Sequence, residues 1–138
     1  MRPHEDILAN YQRYATEIDV ICAKSLYAQQ INGVMPKLND TTDLDLTNAY
    51  HPLLYLSNKQ KKQATFPQTI HLHSELRILV ISGPNAGGKS ITLKTIGLLQ
   101  LMVQTGFLVP VHPQSHMCIF ESILTDIGDN QSIESELS

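Results

Sequence analysis

Cysteine is scarce: Cys22 and Cys118 are the only two, far apart and in no C-x-x-C pair. That excludes a disulfide framework or a cysteine zinc site and fits a reducing cytoplasm. No apolar run approaches the roughly 18 residues of a membrane span. The opening Met1-Arg2-Pro3-His4-Glu5-Asp6 lacks the apolar core of a signal peptide. Basic excess is also missing. Ten basic and 13 acidic side chains leave −3, so bulk charge gives no grip on nucleic acid. The deficit is sharpest from Thr95 to Ser138, which holds five acids and no lysine or arginine, while the rest of the chain carries +2. A phosphate backbone would be repelled by such a surface. There is no internal repeat and no low-complexity tract.

What is present is enough for a buried core: 138 residues, 42% of them apolar, the size of one domain. From Ile7 to about Gln30, apolar residues recur at three- and four-residue steps (Ile7, Tyr11, Tyr14, Ile18, Ile21, Ala28), which predicts a long amphipathic helix. Asn32-Gly33 and Pro36 supply its stop. Two readings of this helix stand: an ordinary core helix, with Tyr11 and Tyr14 in the core, or the root of a long arm or coiled coil.

Residues 32–48 read as a polar connector. A short apolar element follows at His51-Pro52-Leu53-Leu54, then a polar stretch from Ser57 to Gln63. Ile70 to His73 alternates like a half-buried strand, and Ile78-Leu79-Val80-Ile81 reads as a strand buried on both faces. A second amphipathic helix is expected from about Gly88 to Gln104, closed by Gly106, with further strands at 107–110 and 117–120.

Gly83-Pro84-Asn85-Ala86-Gly87-Gly88-Lys89-Ser90 satisfies G-x-x-x-x-G-K-[ST] between the expected strand and the expected helix. Glycines let backbone N–H groups converge on phosphates, and the helix N-terminus adds unpaired donors and a favourable dipole. Lys89 would reach the β- and γ-phosphates, Ser90 would give its hydroxyl to Mg²⁺, and Ile91 follows in the same turn. A nucleoside triphosphate site is therefore expected. The fold expected is α/β, a partial P-loop NTPase domain behind a long helix.

GTPase signatures are absent. Asp126-Ile127-Gly128-Asp129 sets its glycine one position early for D-x-x-G, and Asn58-Lys59-Gln60-Lys61 lacks the aspartate of N-K-x-D. ATP is the better ligand. A small-molecule or nucleotide kinase would need lid arginines after the loop, and none follows. Ser122 to Asp126 only poorly imitates an apolar strand ending in the Mg²⁺-binding acid. Only 48 residues follow Ser90, too few to finish a nucleotide-binding sheet, so the chain reads as a fragment of a larger protein.

These residues resemble a known family. Ile81 to Ser90, with its Gly-Pro-Asn opening, is similar to the phosphate loop of the MutS family of DNA mismatch repair and recombination ATPases. Ile91-Thr92-Leu93-Lys94-Thr95-Ile96-Gly97-Leu98-Leu99 and Asp126 to Glu134 resemble its second bacterial branch, the MutS-II type. His51-Pro52-Leu53-Leu54 and Ala23-Lys24 match as well, whereas Phe66-Pro67-Gln68-Thr69 departs from the Asn-Asp that relatives tend to carry after the proline.

The resemblance implies an ABC-like ATPase domain whose first half occupies residues 36–138, truncated before the Mg²⁺-binding acidic strand. Residues 1–35 would belong to an adjoining helical core or lever region. It implies that Asn85, Lys89 and Ser90 face the phosphates and that His51 lines an adenine pocket, although a buried turn histidine is an equal reading. It also implies a homodimer in which Ser138 reaches the γ-phosphate of the partner subunit's site. The function implied is ATP binding and hydrolysis in a protein acting on DNA, in mismatch repair or suppression of recombination. DNA would be held by parts absent here, and nucleotide state would move DNA-binding arms. For the 138 residues alone, nucleotide binding or dimerisation without turnover is the alternative.

The remaining candidates have plainer meanings. His71 with His73, and His112 with His116, have no cysteine or carboxylate cluster to complete a metal site. Lys59, Lys61 and Lys62 read as a solvated loop rather than a phosphate-backbone contact.

Overall fold

A computed structural model of the chain describes residues 5–83 and 88–126. Its element order is α1 (Glu5–Ile31), β1 (Lys37–Leu38), β2 (Leu44–Ala49), α2 (Pro52–Gln60), β3 (Gln68–Leu72), α3 (Lys89–Gln104) and β4 (His116–Met117). The architecture is mixed α/β, with a four-stranded sheet in the order β1-β4-β2-β3. β1 pairs with β4 in parallel, and β2 pairs antiparallel with both β3 and β4. Among the described residues no helix is long and apolar enough to cross a membrane.

The expected polar connector at 32–48 proves to contain the central strand. Leu44, Leu46 and Ala49 of β2 are buried while Asp45 and Thr47 face outward, the alternation of a half-buried strand. Leu46 stands opposite Ile70 and Asp45 opposite His71, whose Nδ1 lies 2.9 Å from the carboxylate. The register slips between Leu46 and Ala49, where Asn48 takes φ 49° and absorbs a bulge. The core gathers these residues with Leu99, Met102 and Val103 of α3, Val109, Met117 and Ile31 from the end of α1.

Most of α1 lies outside that core. The helix has 27 residues, about 40 Å of rise. Only its last turns are buried, at Ala28 and Ile31. The seam Ile7, Tyr11, Tyr14, Ile18, Ile21 is half-exposed or more throughout. The core-helix reading therefore fails for five of its turns, and Tyr11 and Tyr14 are not core residues. The periodicity was that of a helix whose apolar stripe has no covering element among the described residues.

Other differences follow from the same logic. His51-Pro52-Leu53-Leu54 opens α2, which runs on through the polar residues to Gln60 because Pro52 occupies the first turn and His51 caps it. Residues 117–120 form only the end of a strand. Beyond it, Gln100 and Gln104 of α3 stand in for a strand neighbour: Gln100 Nε2 donates to Cys118 O at 2.7 Å, Gln104 Nε2 donates to Phe120 O at 3.0 Å, and Gln104 Oε1 accepts from Phe120 N at 3.2 Å. Val109 makes a single bridge to Val34 rather than a strand.

The largest difference is at Ile78-Leu79-Val80-Ile81, where no strand forms and Ile78 and Val80 are 79% and 82% exposed. An apolar run of this kind needs paired neighbours on both edges and cover on both faces, and no described strand pairs with it. Leu46→Ala should therefore cost about 2–5 kcal/mol, and Ile78→Ala within about 0.5 kcal/mol, by urea denaturation of the chain. Equal losses would contradict the placement of the two segments.

Candidate functional site

The glycine-rich loop enters a helix, as its chemistry requires. Gly83 (φ 146°) and Gly88 (φ 79°) flank it, both in backbone regions that L side chains rarely adopt. Gly88 is the N-cap of α3 and offers no side-chain cap, and the first turn of α3 holds no acidic residue. The helix thus begins with donors and a positive dipole end that its own side chains leave uncompensated, the condition that favours an anion.

Lys89 opens α3, and its Nζ donates to the Gly83 carbonyl, holding the two ends of the loop together. Ser90 is exposed one position on. Pro84, Asn85, Ala86 and Gly87 lie outside the described residues, as do Ser138 and the 127–134 segment.

A cavity of about 550 Å³ adjoins this turn. Gly88, Ile91 and Thr92 of α3 form one wall, His51, Leu54 and Asn58 of α2 another, and the 64–68 segment the third. His51 and Ile91 therefore line one cavity with Gly88, the last glycine of the loop. His51 accepts the Leu54 N–H on Nδ1 at 3.4 Å as the N-cap of α2, so its ring proton sits on Nε2. Burial, and secondly the charge of Lys94, hold its pKa below the ordinary 6.5. The imidazole is neutral at neutral pH, able to cap the helix with one nitrogen and donate with the other.

Phe66 was noticeable in the sequence only as part of a departure from relatives. It lines the same cavity and is 85% exposed. An exposed phenylalanine beside a phosphate-type loop has the form of a stacking surface. The 64–68 segment that carries it is held by Asn58, whose Nδ2 donates to Thr65 Oγ1 at 3.0 Å. Among the described residues no carboxylate lines the cavity. Asp126 instead lies beside Leu93, Ile96 and Gly97. Among the described residues no group of three or more His, Cys, Asp or Glu side chains is arranged to hold a metal.

The lowered His51 pKa has a pH consequence. Because the unfolded chain binds the proton more readily, the contribution of His51 to stability is present above pH 6.5 and is lost as pH falls through its folded pKa. His51→Asn keeps an N-cap acceptor without the titration. Denaturation midpoints compared at neutral and mildly acidic pH should fall less in this variant than in the wild type; an identical slope would contradict the assignment.

Residues 79–138 match the family described as MutS domain V. The chain is 46% identical to Endonuclease MutS2 of Shouchella clausii over 134 residues, 97% of this chain and 16% of that protein. It is likewise 46% identical over 127 residues to Endonuclease MutS2 of Finegoldia magna, covering 92% of this chain and 16% of the relative. For the Pediococcus pentosaceus protein of the same name, identity is 44% over 136 residues, 99% of this chain and 17% of the relative. The chain thus spans about one sixth of the length of these proteins. With the glycine-rich turn inside the matched domain and similarity running along nearly its whole length, the chain belongs to the MutS family.

Proposed function

We propose that this chain is the nucleotide-binding part of a MutS-type ATPase that acts on DNA in repair or in control of recombination. The observation that carries the reading is the convergence of three features at one place: the G-x-x-x-x-G-K-S turn, an α3 N-terminus without acids, and a base-sized cavity flanked by Phe66 and His51. In this reading the backbone of residues 83–88 and Lys89 hold the phosphates of ATP, while Phe66 stacks on the base beside His51 and Ile91. Ser90 contributes one hard oxygen to Mg²⁺. A lone hydroxyl suits that ion, which takes most of its ligands from phosphates and water.

Among the described residues no carboxylate lines the cavity, which supports binding rather than turnover by the 138 residues. Turnover needs an acid to orient water or hold the metal, and we assign that residue to the parent protein. The exposed run Ile78-Leu79-Val80-Ile81 supports the same division: in a parent P-loop fold it would become an inner strand once neighbours pair with it.

Residues 1–35 form the helical segment of an adjoining region and 36–138 the first half of the ATPase domain. DNA is held by other parts of the parent, as the acid-only stretch after Lys94 favours. Dimerisation would let Ser138 complete the partner's site, and nucleotide state would be carried outward through α1.

Calorimetric titration of Mg·ATP into the chain tests the site. Binding should be lost in Lys89→Ala and weakened in Phe66→Ala by about 1–3 kcal/mol, the worth of one stacked base. Affinity unchanged in both variants would overturn the reading.

A further inference from the structure

The C-terminal ends of α1 and α3 share an omission. Neither helix has a basic residue in its last turn, although the carbonyls exposed there favour a cation. In each case a lysine from a different helix supplies it. Lys24 of α1 donates from Nζ to the Thr105 carbonyl at the end of α3, at 2.6 Å, and its ammonium stands 4.7 Å from the centroid of the Phe107 ring. Lys59 of α2 donates to the Gln30 carbonyl at the end of α1, at 3.0 Å, with its ammonium 5.6 Å from the Tyr55 centroid. Both ammonium groups are thus held from two sides, by a helix-end carbonyl and by an aromatic face.

The rings are themselves anchored to α1. Tyr27 meets Phe107 edge-on with centroids 6.1 Å apart, and Asn32, the left-handed residue that ends α1, donates from Nδ2 to the Tyr55 hydroxyl at 2.7 Å. The end of α3 is rigid in its own right: Gly106, at φ 74°, closes it with Gly106 N–Val103 O and Phe107 N–Met102 O bonds of 3.0 and 2.8 Å. That closure presents both the Thr105 carbonyl and the Phe107 ring to Lys24.

α2 and α3 also share the cavity, α2 along its length through His51, Leu54 and Asn58 and α3 through its first turn. α2 begins at His51 and α3 follows Gly88, and both line the 550 Å³ cavity. Two helices that wall the cavity therefore also reach the last turns of α1, and a lysine ties each of them to it. The rest of α1 is exposed, so its direction is set at these last turns.

We propose that Lys24 and Lys59 are positioning residues, a latch that locks the direction of α1 to the two helices that build the cavity. This deepens the function proposed above by naming the residues through which α1 would follow the site. The latch itself needs no ligand and neither does its test, so failure of nucleotide binding and failure of the latch are separate results.

The test is pulsed electron–electron distance measurement on the full chain, with nitroxides at Thr16→Cys on α1 and Asp40→Cys on the sheet turn. Exposed Cys22 is replaced by serine, and buried Cys118, whose thiol burial pushes up, stays unlabelled. A second pair, Asp40→Cys with Leu93→Cys on α3, reports on the body. Lys24→Met and Lys59→Met, which keep most of the stem and lose the charge, should each broaden and shift the Thr16–Asp40 distribution while the body pair stays unchanged. Lys24→Arg, which retains a cation and donors, should restore the narrow distribution. A Thr16–Asp40 distribution in the double methionine variant that overlays the wild type would overturn the latch. So would equal broadening of both pairs, because the lysines would then serve general stability rather than direction.

Discussion

Burial of one face of α3 against the sheet positions the rest of the molecule. Leu99, Met102 and Val103 share a core with Leu46, Ile70 and Met117, and each such side chain contributes about 1.5–3 kcal/mol on leaving water. The contact fixes α3 as a rod with two functional ends. Its N-terminus, where the Gly88 cap offers no side chain and the first turn no acid, lies at the glycine-rich turn. Its C-terminus, closed by Gly106, lies at the root of α1. α2 repeats the arrangement on a shorter scale, from the His51 cap to Lys59. Between them these two helices separate the candidate nucleotide site from α1 while keeping both in one frame.

The elements legible in the sequence were those whose signal is local. The helical spacing from Ile7 onward and the apolar face before Gly106 specify α1 and α3, and G-x-x-x-x-G-K-S specifies where α3 must begin. β2 was hidden although Leu44-Asp45-Leu46-Thr47 does alternate, because the preceding Asn-Asp-Thr-Thr-Asp run dominates that window. The opposite error arose at Ile78–Ile81. Its composition is that of an inner strand, but burial depends on neighbours, and those are a property of the assembled sheet rather than of the run itself.

The site was half legible for similar reasons. Lys89, Ser90, His51 and Ile91 come from a motif and from a family resemblance, and the fold brings His51 and Ile91 to one cavity beside the loop. Phe66 carries no such signature. Only the fold reveals that the 64–68 segment, held by Asn58, lines the cavity at the start of α3 with Phe66 exposed. The lysine ties at the root of α1 were equally invisible, since each joins residues widely separated in sequence. A lysine in a helix reads as a solvated charge until the end of another helix is found beside it.

Whether the cavity at the start of α3 is a nucleotide site joined rigidly to α1 is open to direct measurement. Hydrogen–deuterium exchange of the chain with and without saturating Mg·ATP addresses both halves at once, because it reads opening free energies along the backbone. Bound Mg·ATP should add protection at Gly88–Thr92 and in the 64–68 segment, together with a change at Ala28–Gly33, where α1 meets the core. Exchange at all three segments that is indifferent to Mg·ATP would contradict a nucleotide site joined to α1.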